Sequence, residues 1–113
     1  MQPRLSSSLL VNALIRQAES NGGFGAVLAR GDATAGSILL VLTERGQRAR
    51  ALERVLQANG EYQWQRIDNQ DIENTVEINE MVERRRRFDP DLWVVELDIP
   101  SPERFAAEMN ASN

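Results

Sequence analysis

The stretch that decides the fold is Asp91-Leu92-Trp93-Val94-Val95-Glu96-Leu97-Asp98-Ile99. Trp93, Val95, Leu97 and Ile99 alternate with Glu96 and Asp98, the two-residue period of a strand with one face turned to a core. Trp93 is therefore expected on the core side. On the downstream side, Pro100-Ser101-Pro102-Glu103 stops this strand and opens a helix, with Ser101 as its cap, Pro102 at its first helical position and Phe105 stacked near Met109. Asn110 to Asn113 are expected to fray.

Upstream, Phe88-Asp89-Pro90-Asp91 ends a helix expected over Asp71 to Arg87. That segment begins with Asp71 and Glu73 and finishes in four arginines, the charge order that a helix dipole favours. Glu80 with Arg84 and Glu83 with Arg87 are i, i+4 pairs, and Ile72, Val76, Ile78 and Val82 make an apolar side. Residues 47 to 67 read two ways. Ala49, Leu52, Val55 and Leu56 have helical spacing, but Asn59-Gly60 is the dipeptide that a two-residue type I′ turn prefers. A hairpin through that turn pairs Val55 with Trp64, Glu53 with Arg66 and Leu52 with Ile67, which makes it the favoured reading.

Phe24 to Arg30 and Ser37 to Thr43 are short apolar runs joined by Gly31-Asp32-Ala33-Thr34-Ala35-Gly36, and they read as a second hairpin. Ile38 to Leu42 is apolar on both faces and belongs inside a sheet covered on both sides. Residues 8 to 21 form an amphipathic helix with Leu10, Leu14 and Ala18 on one side and Val11 and Ile15 beside them. One of Ser6, Ser7 or Ser8 caps it, and Gly22 suits its end. The order is helix, four strands, helix, strand, helix. It predicts an α+β fold: a small, mainly antiparallel sheet of about five strands with helices packed on one face. At 113 residues the chain is expected to be a single domain over 1–113.

Composition removes much chemistry. There is no cysteine and no histidine, which excludes disulfides, thiolate or imidazole metal sites and Ser-His-Asp or Cys-His catalysis. All thirteen basic residues are arginine, so lysine chemistry is absent too. No cofactor is expected. The net charge of −4 gives no overall field for nucleic acid or an anionic membrane. The apolar run Leu9-Leu10-Val11 is broken by Asn12 and Arg16, so no membrane span is predicted and a cytoplasmic location is expected.

Three segments carry a resemblance: Arg-Gly-Asp-Ala-Thr-Ala-Gly at 30–36, Gln-Asp-Ile-Glu-Asn at 70–74, and Arg-Arg-Arg-Arg-Phe-Asp-Pro-Asp-Leu-Trp-Val-Val-Glu-Leu-Asp at 84–98. Through them the whole chain resembles a family of short alphaproteobacterial proteins called domain of unknown function 1491. The resemblance implies a bacterial cytoplasmic protein. It implies no activity, ligand or functional residue.

Several constellations are candidates for function. Arg84, Arg85, Arg86 and Arg87 could contact phosphate, joined by Arg45, Arg48, Arg50 and Arg54 in a nucleic-acid reading. Consecutive helical residues point about 100° apart, however, so the run encircles the helix end and does not form one palm. Asp91, Glu96 and Asp98, with Asp32, suggest a carboxylate-based metal-dependent hydrolase. Pro90-Asp91 followed by Glu96-Leu97-Asp98 is loosely similar to a metal-dependent nuclease core, except that Asp98 stands where that core has its lysine. The 31–36 loop does not open a helix and lacks the positive end of a phosphate loop. Phe24, Tyr62 and Trp64 are assigned to core packing ahead of base stacking. The leading expectation is a non-enzymatic binding or accessory protein acting on a protein partner or on a second copy of itself. Nucleic-acid or anion binding through Arg84–Arg87 comes second and the hydrolase third.

Overall fold

A computed structural model describes residues 5–67 and 75–111. The element order is the expected one: α1 (Ser7–Ser20), β1 (Phe24–Ala29), β2 (Ile38–Glu44), β3 (Gln47–Leu56), β4 (Tyr62–Arg66), α2 (Thr75–Phe88), β5 (Trp93–Asp98) and α3 (Pro102–Ala111). The five strands form one sheet in the order β1-β5-β2-β3-β4, with three antiparallel pairs and one parallel pair, β2 with β5. The fold is α+β.

β1 and β2 are not a hairpin, contrary to the sequence reading, because β5 lies between them. β2 is apolar on both faces and β5 on its Trp93, Val95, Leu97 face and at Val94, and the two lie side by side in the interior of the sheet, where neighbouring strands and helices cover them. Leu39, Leu40, Val41, Leu42, Val94, Val95 and Leu97 are fully enclosed. The 31–36 loop therefore spans two strand spacings, about 10 Å, and crosses the start of β5. Its glycines are required by that crossing. A Cβ on Gly31 would lie 2.1 Å from the Asp91 carbonyl oxygen, and one on Gly36 2.3 Å from the same atom. Three hydrogen bonds fasten the crossing: Asp32 N donates to Asp91 O at 3.0 Å, Trp93 Nε1 to Asp32 O at 2.7 Å, and Ser7 Oγ to Gly36 O at 2.6 Å.

Helices cover both faces of the sheet, not one. Val11, Leu14 and Ala18 of α1 and Phe105 and Met109 of α3 pack with Leu40, Leu42, Leu52, Trp64, Trp93, Val95, Leu97 and Ile99. On the opposite face Ile78, Met81 and Val82 of α2 rest on Leu39, Val41, Ala51, Leu92 and Val94. Two-sided burial of the central strands demands this second layer. Val76, expected on the apolar side of α2, is exposed, and Met81 takes that role. Ile72 and the segment 70–74 lie outside the described residues.

The β3–β4 hairpin exists, but in a register one residue away from the expected one: Arg54 faces Trp64, Glu53 faces Gln65 and Leu52 faces Arg66. The turn is five residues long, with Gln57 N bonded to Glu61 O at 2.7 Å and Gly60 at φ +86°, so it is not a two-residue turn on Asn59-Gly60. A one-residue shift changes which residues share a face. The adopted register puts Leu52 and Trp64 together on the α1/α3 side, and Arg54 stacks over Tyr62 at 4.3 Å and Trp64 at 6.0 Å. The true two-residue turn is Arg45-Gly46, both at positive φ (52° and 73°), between β2 and β3.

Asn110, expected to fray, closes the free side of β4. Its Oδ1 accepts from Trp64 N at 2.8 Å and its Nδ2 donates to Trp64 O at 3.0 Å, imitating a neighbouring strand. Asn110→Ala should cost about 1–2 kcal/mol in urea denaturation, because it strips two part-buried backbone groups of their partner. It should also speed hydrogen exchange at the Trp64 amide; an unchanged exchange rate would contradict this role.

Candidate functional site

The arginine run does not act as a unit. Arg85 is half-buried and pairs with Glu53 of β3 at 2.7 Å. Arg86, also half-buried, donates from Nη2 to the backbone oxygens of Arg30 at 3.2 Å and Pro90 at 3.4 Å, tying the end of β1 to the approach to β5. Arg84 and Arg87 are exposed. Neither expected pair, Glu80 with Arg84 or Glu83 with Arg87, is among the ion pairs of the described residues, since Arg85 and Arg86 reach sheet and loop partners while the other two face solvent. Of the other arginines in the nucleic-acid reading, Arg50 pairs with Glu103 of α3 at 2.9 Å and Arg54 stacks on Tyr62. Arg45 occupies the β2–β3 turn. The side chain of Arg48 lies outside the described set. These arginines are distributed over different elements and are not gathered on one face.

The carboxylates are likewise dispersed. Asp98 accepts the turn amides of Arg45 at 2.9 Å and Gly46 at 2.7 Å, which holds a non-glycine residue in the left-handed region. Glu96 accepts from the hydroxyl of the fully enclosed Thr43 at 3.0 Å. Asp91 is exposed and contributes its backbone carbonyl to the loop crossing. Asp32 Oδ2 accepts from Thr34 N and Ala35 N inside its own loop. Among the described residues no group of three or more acidic side chains is placed to hold a metal ion. These carboxylates organise turns and loops.

The conspicuous surface feature is β1, Phe-Gly-Ala-Val-Leu-Ala, which contains no charge and no proline. It pairs only with β5, so its other side is a sheet edge among the described residues. The alternation of backbone direction fixes which groups that edge presents. Trp93 N bonds Ser37 O at 2.8 Å and Ile99 N bonds Thr43 O at 2.9 Å, so the odd residues of β5 turn their amides to β2 and the even ones to β1. Opposite those even residues stand Phe24 and Ala26, which leaves Gly25 and Val27 aiming N–H and C=O away from the sheet. Phe24, Val27 and Leu28 are 59%, 45% and 44% exposed. Phe24 is thus not a core residue, unlike Trp64. Leu28, at the irregularity where the β1–β5 register shifts, borders an open groove of about 500 Å³ whose other walls are Asn79, Val82, Glu83, Arg86 and Arg87 of α2. The sequence signal for this edge was the lack of any charge from Phe24 to Ala29, hidden by reading the run as one arm of a hairpin.

The family profile described as Protein of unknown function (DUF1491) matches residues 5–107. The chain belongs to the DUF1491 family. A crystal structure of a DUF1491 family protein from Caulobacter crescentus CB15 is similar, with 34% identity and a TM-score of 0.79 over 90% of this chain and 94% of the other. An NMR structure of a DUF1491 family protein from the same organism gives 33% identity and a TM-score of 0.76 over 93% and 94%. A solution structure of a protein from A. tumefaciens gives 31% and 0.75 over 92% and 93%. A comparison with curated proteins returned no match. Two of the segments that carried the DUF1491 resemblance meet in space: the 31–36 loop closes over Asp91 and Trp93 of the 84–98 segment. What they share is a structural fastening.

The division of labour within the arginine run has a direct consequence. Arg86→Gln should cost about 1–2 kcal/mol, because charge-assisted bonds to two backbone carbonyls are lost, whereas Arg84→Gln should change stability by less than about 0.5 kcal/mol. Equal losses in urea denaturation would show that the run works as an undivided charge cluster.

Proposed function

We propose that this protein is a non-enzymatic cytoplasmic accessory protein that works through protein–protein contact at the open β1 edge of its sheet. The observation that carries the reading is that edge: uncharged, with two outward-facing backbone pairs and three exposed apolar side chains. A natural sheet protein ordinarily protects such an edge with a charge, a proline, a bulge or a covering element. β1 has no charge or proline, and its one irregularity lies at its end, between Val27 and Ala29, which leaves Phe24 to Val27 as a template for pairing. Here the opposite edge, β4, has its cover in Asn110. The reading gains support from the way carboxylates and guanidinium groups are spent on turns, loops and inter-element pairs, which leaves little converging chemistry for catalysis. Arg84 and Arg87 supply two exposed positive groups, a small footprint for nucleic acid on a chain of net charge −4.

The test is affinity capture from the native cytoplasm with the wild-type chain and with Val27→Lys, which places a charge on the edge. Val27 is exposed, so the variant should keep its far-UV circular dichroism and unfold within about 0.5 kcal/mol of wild type. Partners recovered with wild type should be lost with Val27→Lys; the same set recovered with both would overturn the reading.

A further inference from the structure

Resting on the reading of β1 as a contact edge, we infer that the occupant of this edge is a second copy of the same chain, paired antiparallel about a two-fold axis at Ala26. The outward backbone groups belong to Gly25 and Val27, and an antiparallel neighbour must meet them with groups of the same spacing. A second β1 does so when Gly25 faces Val27 of the copy, Ala26 faces Ala26, and Phe24 faces Leu28. Each Gly25–Val27 pair then exchanges two N–H···O bonds, four in all across the axis.

Side chains fit this register on both faces. Gly25 lies beneath Ile15 of α1, so Gly25 and Val27 share the α1 face. There Val27 is set beside a residue with no side chain. On the α2 face, Phe24 lies against Leu28 of the copy, an aromatic–aliphatic cross-strand pair. α1 packs over β1 and β5, and neighbouring strands stand about 4.8 Å apart. The two α1 helices would then run antiparallel about 10 Å apart, an ordinary helix-packing distance.

Charge is complementary in the same arrangement. Arg86 and Arg87 border the groove at Leu28, whereas Asp98 stands opposite Phe24 on β5 and Glu96 opposite Ala26. Setting Leu28 of one copy against Phe24 of the other brings the exposed Arg87 of the first toward Asp98 and Glu96 of the second, and symmetry repeats the contact. No charged residue of β1 meets its like, because β1 has none. The result is a continuous ten-stranded sheet whose outer edges are the two β4 strands, each closed by Asn110. An isologous pairing of this kind ends at two copies and does not propagate into a fibre.

The chain has no cysteine, so a single introduced thiol reports the axis cleanly. Residues facing each other at a non-hydrogen-bonded antiparallel position have Cα atoms about 4.5 Å apart, within disulfide reach. Purified Ala26→Cys under mild oxidation should become a covalent dimer at least tenfold faster than Leu56→Cys, an exposed control on β3. Wild type should sediment at twice 12.7 kDa and Val27→Lys at the single mass with unchanged circular dichroism. Equal oxidation rates for the two cysteine variants, a wild-type chain that stays at the single mass, or a dimer that survives Val27→Lys would each overturn the inference. A monomeric wild type whose captured partners still vanish with Val27→Lys would remove the second copy as occupant while leaving the contact-edge reading in place.

Discussion

The structure depends on one insertion: β5 enters between β1 and β2. β2 is apolar on both faces and β5 on one face and at Val94, and Leu39, Leu40, Val41, Leu42, Val94, Val95 and Leu97 are completely buried along their parallel contact. At about 1.5–3 kcal/mol for each fully buried aliphatic side chain, this seam is among the largest favourable terms the chain has. Everything else accommodates it. The 31–36 loop lengthens to pass over Asp91, Trp93 anchors that loop through Asp32, and α2 is drawn to the second face because the central strands need covering there. Asp98, at the far end of β5, holds the β2–β3 turn by its amides, so both ends of the inserted strand are fastened to loops of its neighbours.

What was legible in the sequence follows from the range of the interactions concerned. α1, α3 and the faces of β5 are governed by local periodicity and capping, and each was readable: Ser6 caps α1, Gly22 follows it at φ +83°, and Trp93, Val95, Leu97 and Ile99 share the α1/α3 face. The insertion was not readable, because it pairs β5 with strands far away in the chain, Ile38 with Trp93 and Phe24 with Asp98, and the loop between β1 and β2 has the composition of an ordinary turn. A trace of the second helical layer was present: Ile38 to Leu42, apolar on both faces, requires cover above and below the sheet. The hairpin register failed for a related reason: Asn59-Gly60 promised a two-residue turn, but burying Leu52 and Trp64 on the same side outweighed that local preference.

The candidate site was less visible still. Arginine runs and clustered acids draw attention in a sequence, yet in the fold Arg85, Arg86, Asp98 and Glu96 serve neighbouring strands and turns. The surface left with unspent capacity is the plain strand Phe24–Ala29, whose significance comes only from being outermost. Making β5 an interior strand put β1 at the edge, so the insertion that builds the core also creates the contact surface.

The most direct test of this dependence is the unfolding free energy of Gly36→Ala. Gly36 does not need positive φ, so in a simple turn between adjacent strands alanine would be neutral or stabilising by about 0.4–1 kcal/mol through the unfolded chain. Where the loop crosses β5, the new Cβ meets the Asp91 carbonyl oxygen at 2.3 Å and the Asp32 carbonyl oxygen at 2.9 Å. The account predicts a loss of about 2–3 kcal/mol in urea denaturation. A Gly36→Ala protein as stable as wild type, or more so, would contradict it.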